Sequence, residues 1–200
     1  HSLAFLAAPV VYTGGGAVVP RVYVASTAET FIMYALQAQT GAVLWKFQVP
    51  TRVPSSAVVA GDGSLYFGSL GGIVFALEKN STQLWTTKLV AAVNTSPTLG
   101  HKEQVLFVGT TVSTLYCLDR AVGTVLWSQQ VATSLVAPLL VPFSNNSVIV
   151  VGMDGLLVRL KAKDYRPIEP VRRTRTEAAL PDPRGVLPFP GHNWPDNGKV

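Results

Sequence analysis

Apolar residues along this chain recur with a period of two or in short continuous runs, and no stretch keeps the three-to-four spacing of an amphipathic helix. Four segments share one layout: "AAPVVYTGGGAVVPRVYVAST", "PSSAVVAGDGSLYFGSL", "NTSPTLGHKEQVLFVGTT" and "LVAPLLVPFSNNSVIVVGMD". Each has a small-residue entry, an apolar run, a turn, and a second run ending in Gly or a small polar residue, which predicts a hairpin. A third run follows each, "TFIMYAL", "GIVFAL", "STLYCL" and "GLLVRL", in which apolar residues dominate as in strands covered on both faces. Three copies add a fourth run, "AVLWKFQV", "TQLWTTKLV" and "TVLWSQQV". β-Branched and aromatic residues are abundant, and Gly, Pro, Asn and Asp interrupt at short intervals, so the expected fold is all-β.

The fourth runs carry Trp45, Trp85 and Trp127, which stand 40 and 42 residues apart. Four antiparallel strands repeated at that period predict a β-propeller, in which each small sheet buries its faces against the sheets on either side. A sandwich also has many short strands, but it gives no reason for a tryptophan to return in register. The expectation is three full blades near residues 8–49, 54–90 and 94–131, a partial fourth near 135–164, and a Pro-rich extended arm over 165–200. The turn at Thr40 and Gly41, with Gly123 matching it in the third copy, is expected to hold a positive-φ bend that glycine adopts at low cost. Beyond that bend the strand delivers an indole to the junction between neighbouring blades, where its area leaves water and its N–H needs a partner. Trp45, Trp85, Trp127, Gly41 and Gly123 are therefore assigned to blade docking.

At these positions the sequence resembles the PQQ-like, or quinoprotein-type, β-propeller repeat family, whose blades carry an A-L-x-x-x-T-G-x-x-x-W pattern. "ALQAQTGAVLW" fits throughout, "ALEKNSTQLW" is one residue short and lacks the Gly, and "CLDRAVGTVLW" has Val122 in place of Thr. The resemblance runs from about Pro9 to Asp164 and implies the fold. The family spans quinone-dependent dehydrogenases, an assembly lipoprotein of the bacterial outer-membrane protein machinery, and sensor domains of kinases, so it does not imply one activity. Its dehydrogenases hold quinone and calcium, many with a disulfide between adjacent cysteines, whereas Cys117 is the sole cysteine here. Calcium wants six to eight clustered oxygen ligands. The acids of the repeats, Glu29, Asp62, Glu78, Glu103, Asp119, Asp154 and Asp164, are dispersed. No cofactor, metal site or catalytic residue is assigned.

Asp62 in "GDG" and Asp154 in "MDG" read as tight hairpin turns, and His101 as a loop tip in "GHKEQ". With His1, His101 and His192 alone, no histidine metal spacing exists. Cys117, within an alternating apolar stretch, is expected to be a small buried hydrophobe. The net charge of +5 is scattered apart from Arg172, Arg173 and Arg175, without the aromatic interleaving of a nucleic-acid surface, so no nucleic-acid partner is predicted. No apolar run is long enough for a transmembrane helix. The start at His1, without a basic leader, is expected to reflect processing or trimming, and the compartment is left open. Asn-x-Ser/Thr triplets at Asn80, Asn94 and Asn145 matter only in a eukaryotic secretory route.

Three full blades and a part are short of the ring that the resemblance implies, and an open arc leaves edges that pair with other chains. The expected function is a non-enzymatic interaction or scaffold subunit whose partners are other proteins of a larger assembly. The alternatives are a fragment of a PQQ-dependent oxidoreductase, and a sensor or peptide-binding propeller domain. In the arm, Arg172, Arg173, Arg175, Leu187, Phe189 and Trp194 are the candidate partner contacts, because an extended Pro-rich segment loses little entropy on docking.

Overall fold

The computed structural model describes residues 7–14, 19–26, 30–131, 135–140, 147–152 and 157–161. Its strands form four antiparallel meanders in which chain order and spatial order coincide. Blade one is β1 (Val10–Tyr12), β2 (Arg21–Ser26), β3 (Ile32–Gln37) and β4 (Val43–Gln48). Blade two is β5 (Val58–Val59), β6 (Leu65–Gly68), β7 (Ile73–Leu77) and β8 (Gln83–Lys88). Blade three is β9 (Thr98–Leu99), β10 (Val105–Gly109), β11 (Thr114–Asp119) and β12 (Val125–Gln130). Blade four has three described strands, β13 (Leu135–Leu140), β14 (Ser147–Gly152) and β15 (Leu157–Lys161). A 3-10 turn, His101–Glu103, precedes β10. Among the described residues no helix is long and apolar enough to cross a membrane.

The sequence builds these meanders by alternation. In the middle strands successive side chains point to opposite faces, and both faces of β6, β7, β10 and β11 are covered. One face of each blade bears two cross-strand pairs directed at the preceding blade: Leu65 with Leu77 and Phe67 with Phe75 in blade two, Leu106 with Leu118 and Val108 with Tyr116 in blade three. The other face meets the next blade. The core is therefore a series of seams: Tyr23, Ala35 and Met33 against Leu65, Phe67 and Phe75; Tyr66, Val74 and Ala76 against Leu106, Val108 and Leu118; Phe107, Leu115 and Cys117 against Val148 and Val150. The fourth strands β4, β8 and β12 expose every second residue or more and form the outer rim.

Blade one departs from the two-sided burial its third run predicts. Val22 pairs with Leu36 and Val24 with Tyr34, the counterparts of the pairs in blades two and three, yet all four are only half-buried. The reason is positional: among the described residues no blade precedes blade one, so its leading face lacks the sheet that covers its counterparts, and β2 and β3 alternate between buried and half-buried.

Candidate functional site: the seams between blades

Each full blade carries a row of three residues across its middle and outer strands: Tyr23, Ala35 and Trp45; Tyr66, Ala76 and Trp85; Phe107, Cys117 and Trp127. The central residue is small, so the flanking rings close over it, with centroids 5.7, 5.8 and 6.0 Å apart. Just beyond it the β3–β4, β7–β8 and β11–β12 pairings each slip register, after Ala35, Ala76 and Cys117. That irregularity bends the outer strand and aims the indole at the following blade.

The indoles then reach across. Trp45 donates its N–H to the Lys79 carbonyl at 2.8 Å, and Trp85 donates to the Arg120 carbonyl at 2.9 Å. Lys79 and Arg120 occupy the same place in successive blades, the turn that joins the third and fourth strands. Trp127 is half-buried against the third seam. Gly41 and Gly123 both lie in the left-handed region, at φ 72° and 75°, and Ser81 takes the corresponding position in blade two at φ 76°. The surroundings of the two glycines differ. A Cβ on Gly123 would stand 2.5 Å from Trp85 Cδ2 and Cε3, whereas one on Gly41 would meet nothing within 4 Å. Gly123 is thus also the floor on which the preceding indole rests, and Thr87, two residues beyond that indole, donates its hydroxyl to the Gly123 carbonyl.

Polar bridges tie the second seam at its surface. Asp62 closes the β5–β6 hairpin by accepting the Ser64 N–H, with Gly63 at φ 89°, and also pairs with Arg120 of blade three at 2.9 Å. Burial works to raise the Asp62 carboxyl, but the Ser64 N–H and the Arg120 guanidinium outweigh it and hold the carboxyl below its ordinary value. Glu103 accepts the Gly61 N–H with both carboxylate oxygens at 3.0 Å, held there by a loop in which Lys102 and Glu103 have φ of 55° and 53°. Tyr12 donates to the Gly61 carbonyl at 3.1 Å, so the Gly61 peptide joins three blades. Asp119 accepts the N–H groups of Ala121 and Val122 in its own turn. These acids serve backbone and seams. Among the described residues no three His, Cys, Asp or Glu side chains gather as metal ligands.

Sequence reading did not find the Asp62–Arg120 pair, the Glu103 bridge or the accepting carbonyls, because each joins residues of different repeats. The columns formed by aligning the copies were a usable signal for the small central residue. His1, His192, Glu29, Asp154, Asp164 and the arm residues Arg172, Arg173, Arg175, Leu187, Phe189 and Trp194 lie outside the described residues.

Two overlapping stretches, residues 28–103 and 71–167, match the family described as outer membrane protein assembly factor BamB. Together they cover more than half of the chain. The chain belongs to this family. Among solved structures it resembles BamB from Moraxella catarrhalis at 18% identity and a TM-score of 0.62, covering 82% of this chain and 48% of that one. It also resembles BBS1N in complex with ARL6DN (13% identity, TM-score 0.61, 76% of this chain and 50% of that one) and the computationally designed Ika4 protein (16%, 0.64, 80% and 92%). No curated protein matches. The chain spans about half the length of the first two structures, and at these identities the likeness is one of fold.

The small central slot makes Cys117 chemically quiet. Fully buried between Phe107 and Trp127, its thiol is pushed up to about 12 by burial, with the Asp119 charge adding to the effect. Since the thiolate is the nucleophile, an alkylating reagent at neutral pH is expected to leave the native chain unmodified and to label it once denatured. Mass spectrometry of the two samples checks this, and rapid labelling of the folded chain would contradict the packing described.

Proposed function

We propose that this chain is a non-catalytic interaction scaffold, an arc of PQQ-like blades that contacts other protein subunits through its open faces and its C-terminal arm. The observation that carries the reading is the leading face of blade one, where two apolar cross-strand pairs are half-buried while their counterparts in blades two and three are buried. An apolar face of this kind favours association. The family's description as an assembly factor supports the reading, as does the crystallisation of BBS1N in complex with ARL6DN. So does the engagement of Asp62, Glu103 and Asp119 in turns and seams, which leaves none of the three free as a catalytic base.

Within this reading residues 165–200 form a separate arm whose Arg172, Arg173, Arg175, Leu187, Phe189 and Trp194 add contact area, and Trp45, Trp85, Trp127, Gly41 and Gly123 keep the arc rigid enough to present its faces. Gentle purification from the native source is expected to recover the chain with defined protein partners, and deletion of Leu180 to Val200 is expected to weaken their retention. Recovery as a solitary chain carrying a bound quinone would refute the scaffold reading and favour the oxidoreductase one.

A further inference from the structure

The first seam lacks a partner that the second one has. At the outer end of the second seam the polar groups form a complete set. Arg120, in the blade-three turn, pairs with Asp62 at 2.9 Å. Beside them lies the Tyr66 hydroxyl, which burial raises and which the Arg120 charge and the neighbouring Ser64 draw back. The third seam needs no such set, because Phe107 stands in the place of Tyr66 and Val105, two residues before it, in the place of Ser64.

The first seam has the cation and the hydroxyl without the acid. Arg21 stands two residues before Tyr23 on the same face of β2, where blade two has Ser64. Its Nη1 donates to the Lys79 carbonyl, which also receives the Trp45 indole N–H at 2.8 Å. Both lone pairs of that oxygen are thereby used. Arg21 Nε and the Tyr23 hydroxyl are buried without a hydrogen-bond partner, and Tyr23 as a whole is 1% exposed. The two groups are neighbours: burial raises the Tyr23 hydroxyl, and the Arg21 guanidinium beside it works against the rise. Among the described residues no acid pairs with Arg21, and Glu78, next to Lys79, is exposed. The run that leads into β2, "TGGGAVVP", contains no acid to act as the counterpart of Asp62.

Two unmet donors beside a half-buried cation call for one kind of ligand. A water would supply an acceptor but leave the charge uncompensated, which is costly away from solvent. A carboxylate supplies both. With Nη1 spent on Lys79, the edge formed by Nε and Nη2 remains, a fork of two parallel N–H groups of the kind that grips a carboxylate, and the Tyr23 hydroxyl adds a third donor. The place opens at the rim, where Arg21 is half-buried and Lys79 and Asn80 are exposed. We propose that the outer end of the first seam is a receptor for a carboxylate side chain of a partner protein, an aspartate or glutamate that Arg21 and Tyr23 hold as Arg120 holds Asp62 one seam on. The proposal rests on the scaffold reading and names the chemistry of one of its contacts.

The test has a chemical arm and a source arm. In the first, acetate is titrated into the nitrogen-15-labelled 200-residue chain at constant ionic strength, with neutral acetamide as the control. Acetate is expected to shift the Arg21 Nε–H and Trp45 indole N–H resonances to saturation, and acetamide to leave them in place. Arg21→Gln is expected to weaken the acetate response of the Trp45 indole about tenfold or more, in keeping with the loss of one member of a hydrogen-bonded charge pair. Tyr23→Phe, which keeps the ring, is expected to weaken it several-fold with the circular dichroism unchanged. Arg52→Gln, at an exposed position outside the site, is expected to leave it alone. No saturable shift, an equal response to acetamide, or equal weakening by Arg52→Gln overturns the proposal. In the second arm the chain is recovered gently from its native source, and Arg21→Gln is expected to lose partners that the unaltered chain and Arg52→Gln retain. Partners held equally well by Arg21→Gln would overturn the partner-borne carboxylate and leave the scaffold reading standing. An unaltered chain that responds to acetate but recovers no partner would instead refute the scaffold reading and leave a free carboxylate as the ligand, so the two failures are distinct.

Discussion

Trp85→Ala is expected to lower the unfolding free energy by roughly 3 to 5 kcal/mol, the range for removing a large buried aromatic side chain. The indole is 8% exposed, lies 5.8 Å from the Tyr66 ring, covers Gly123 and donates to the Arg120 carbonyl. Truncation leaves a cavity that backbone on both sides cannot fill, since Ala76 and Gly123 are already at minimal size. Trp85→Phe separates the two contributions: it keeps most of the apolar area and loses the hydrogen bond, so about 1 kcal/mol is expected to go. Trp45→Ala supplies a comparison, because Trp45 makes the equivalent bond to Lys79 but is only half-buried; its loss is expected to be smaller. Urea unfolding followed by circular dichroism ranks the three. If Trp45→Ala proved as damaging as Trp85→Ala, burial at the seam would not be what sets the scale.

The fold was legible because the signals that specify it are local. Strand alternation, the turn residues and the recurrence of Trp45, Trp85 and Trp127 each sit inside one repeat, and a repeat read four times corrects its own noise. The partial fourth blade was legible for the same reason, as a copy without its tryptophan run. What joins one blade to the next was not. Glu103 looks like any loop acid until the chain brings it to the Gly61 N–H, and Arg120 acquires two tasks, its carbonyl for Trp85 and its guanidinium for Asp62, only across a seam. Ser81 shows a limit of motif reading from the other side. The second copy lacks the glycine of its counterparts, yet the chain still takes the positive-φ bend, because the Trp45 bond to Lys79 and the flanking strand pairs hold the turn in place. The half-buried leading face of blade one was equally hidden, since Val22, Val24, Tyr34 and Leu36 read as core by composition and differ from their counterparts in having no described blade beside them.

Gly41 and Gly123 are identical in motif and nearly identical in φ, so substituting both distinguishes backbone strain from packing. Gly41→Ala is expected to lose about 1 kcal/mol, the strain of an L-residue in the left-handed region, because its Cβ meets open space. Gly123→Ala carries the same strain and also drives a methyl to 2.5 Å from two indole carbons and 2.8 Å from Thr87 Oγ1. Overpacking of that kind adds roughly 1 to 3 kcal/mol, and the Trp85 bond to Arg120 and the Thr87 bond to Gly123 are strained with it. Asparagine sharpens the contrast. It tolerates the left-handed region better than alanine, so Gly41→Asn is expected to recover much of the loss, whereas Gly123→Asn is expected to be worse than Gly123→Ala. Denaturant unfolding of the four variants decides the matter. Equal losses at the two sites would mean that the turn needs glycine for its φ alone. A loss concentrated at Gly123, deepened by asparagine, means that the glycine is retained for the tryptophan of the blade before it, and that the motif encodes the seam as much as the turn.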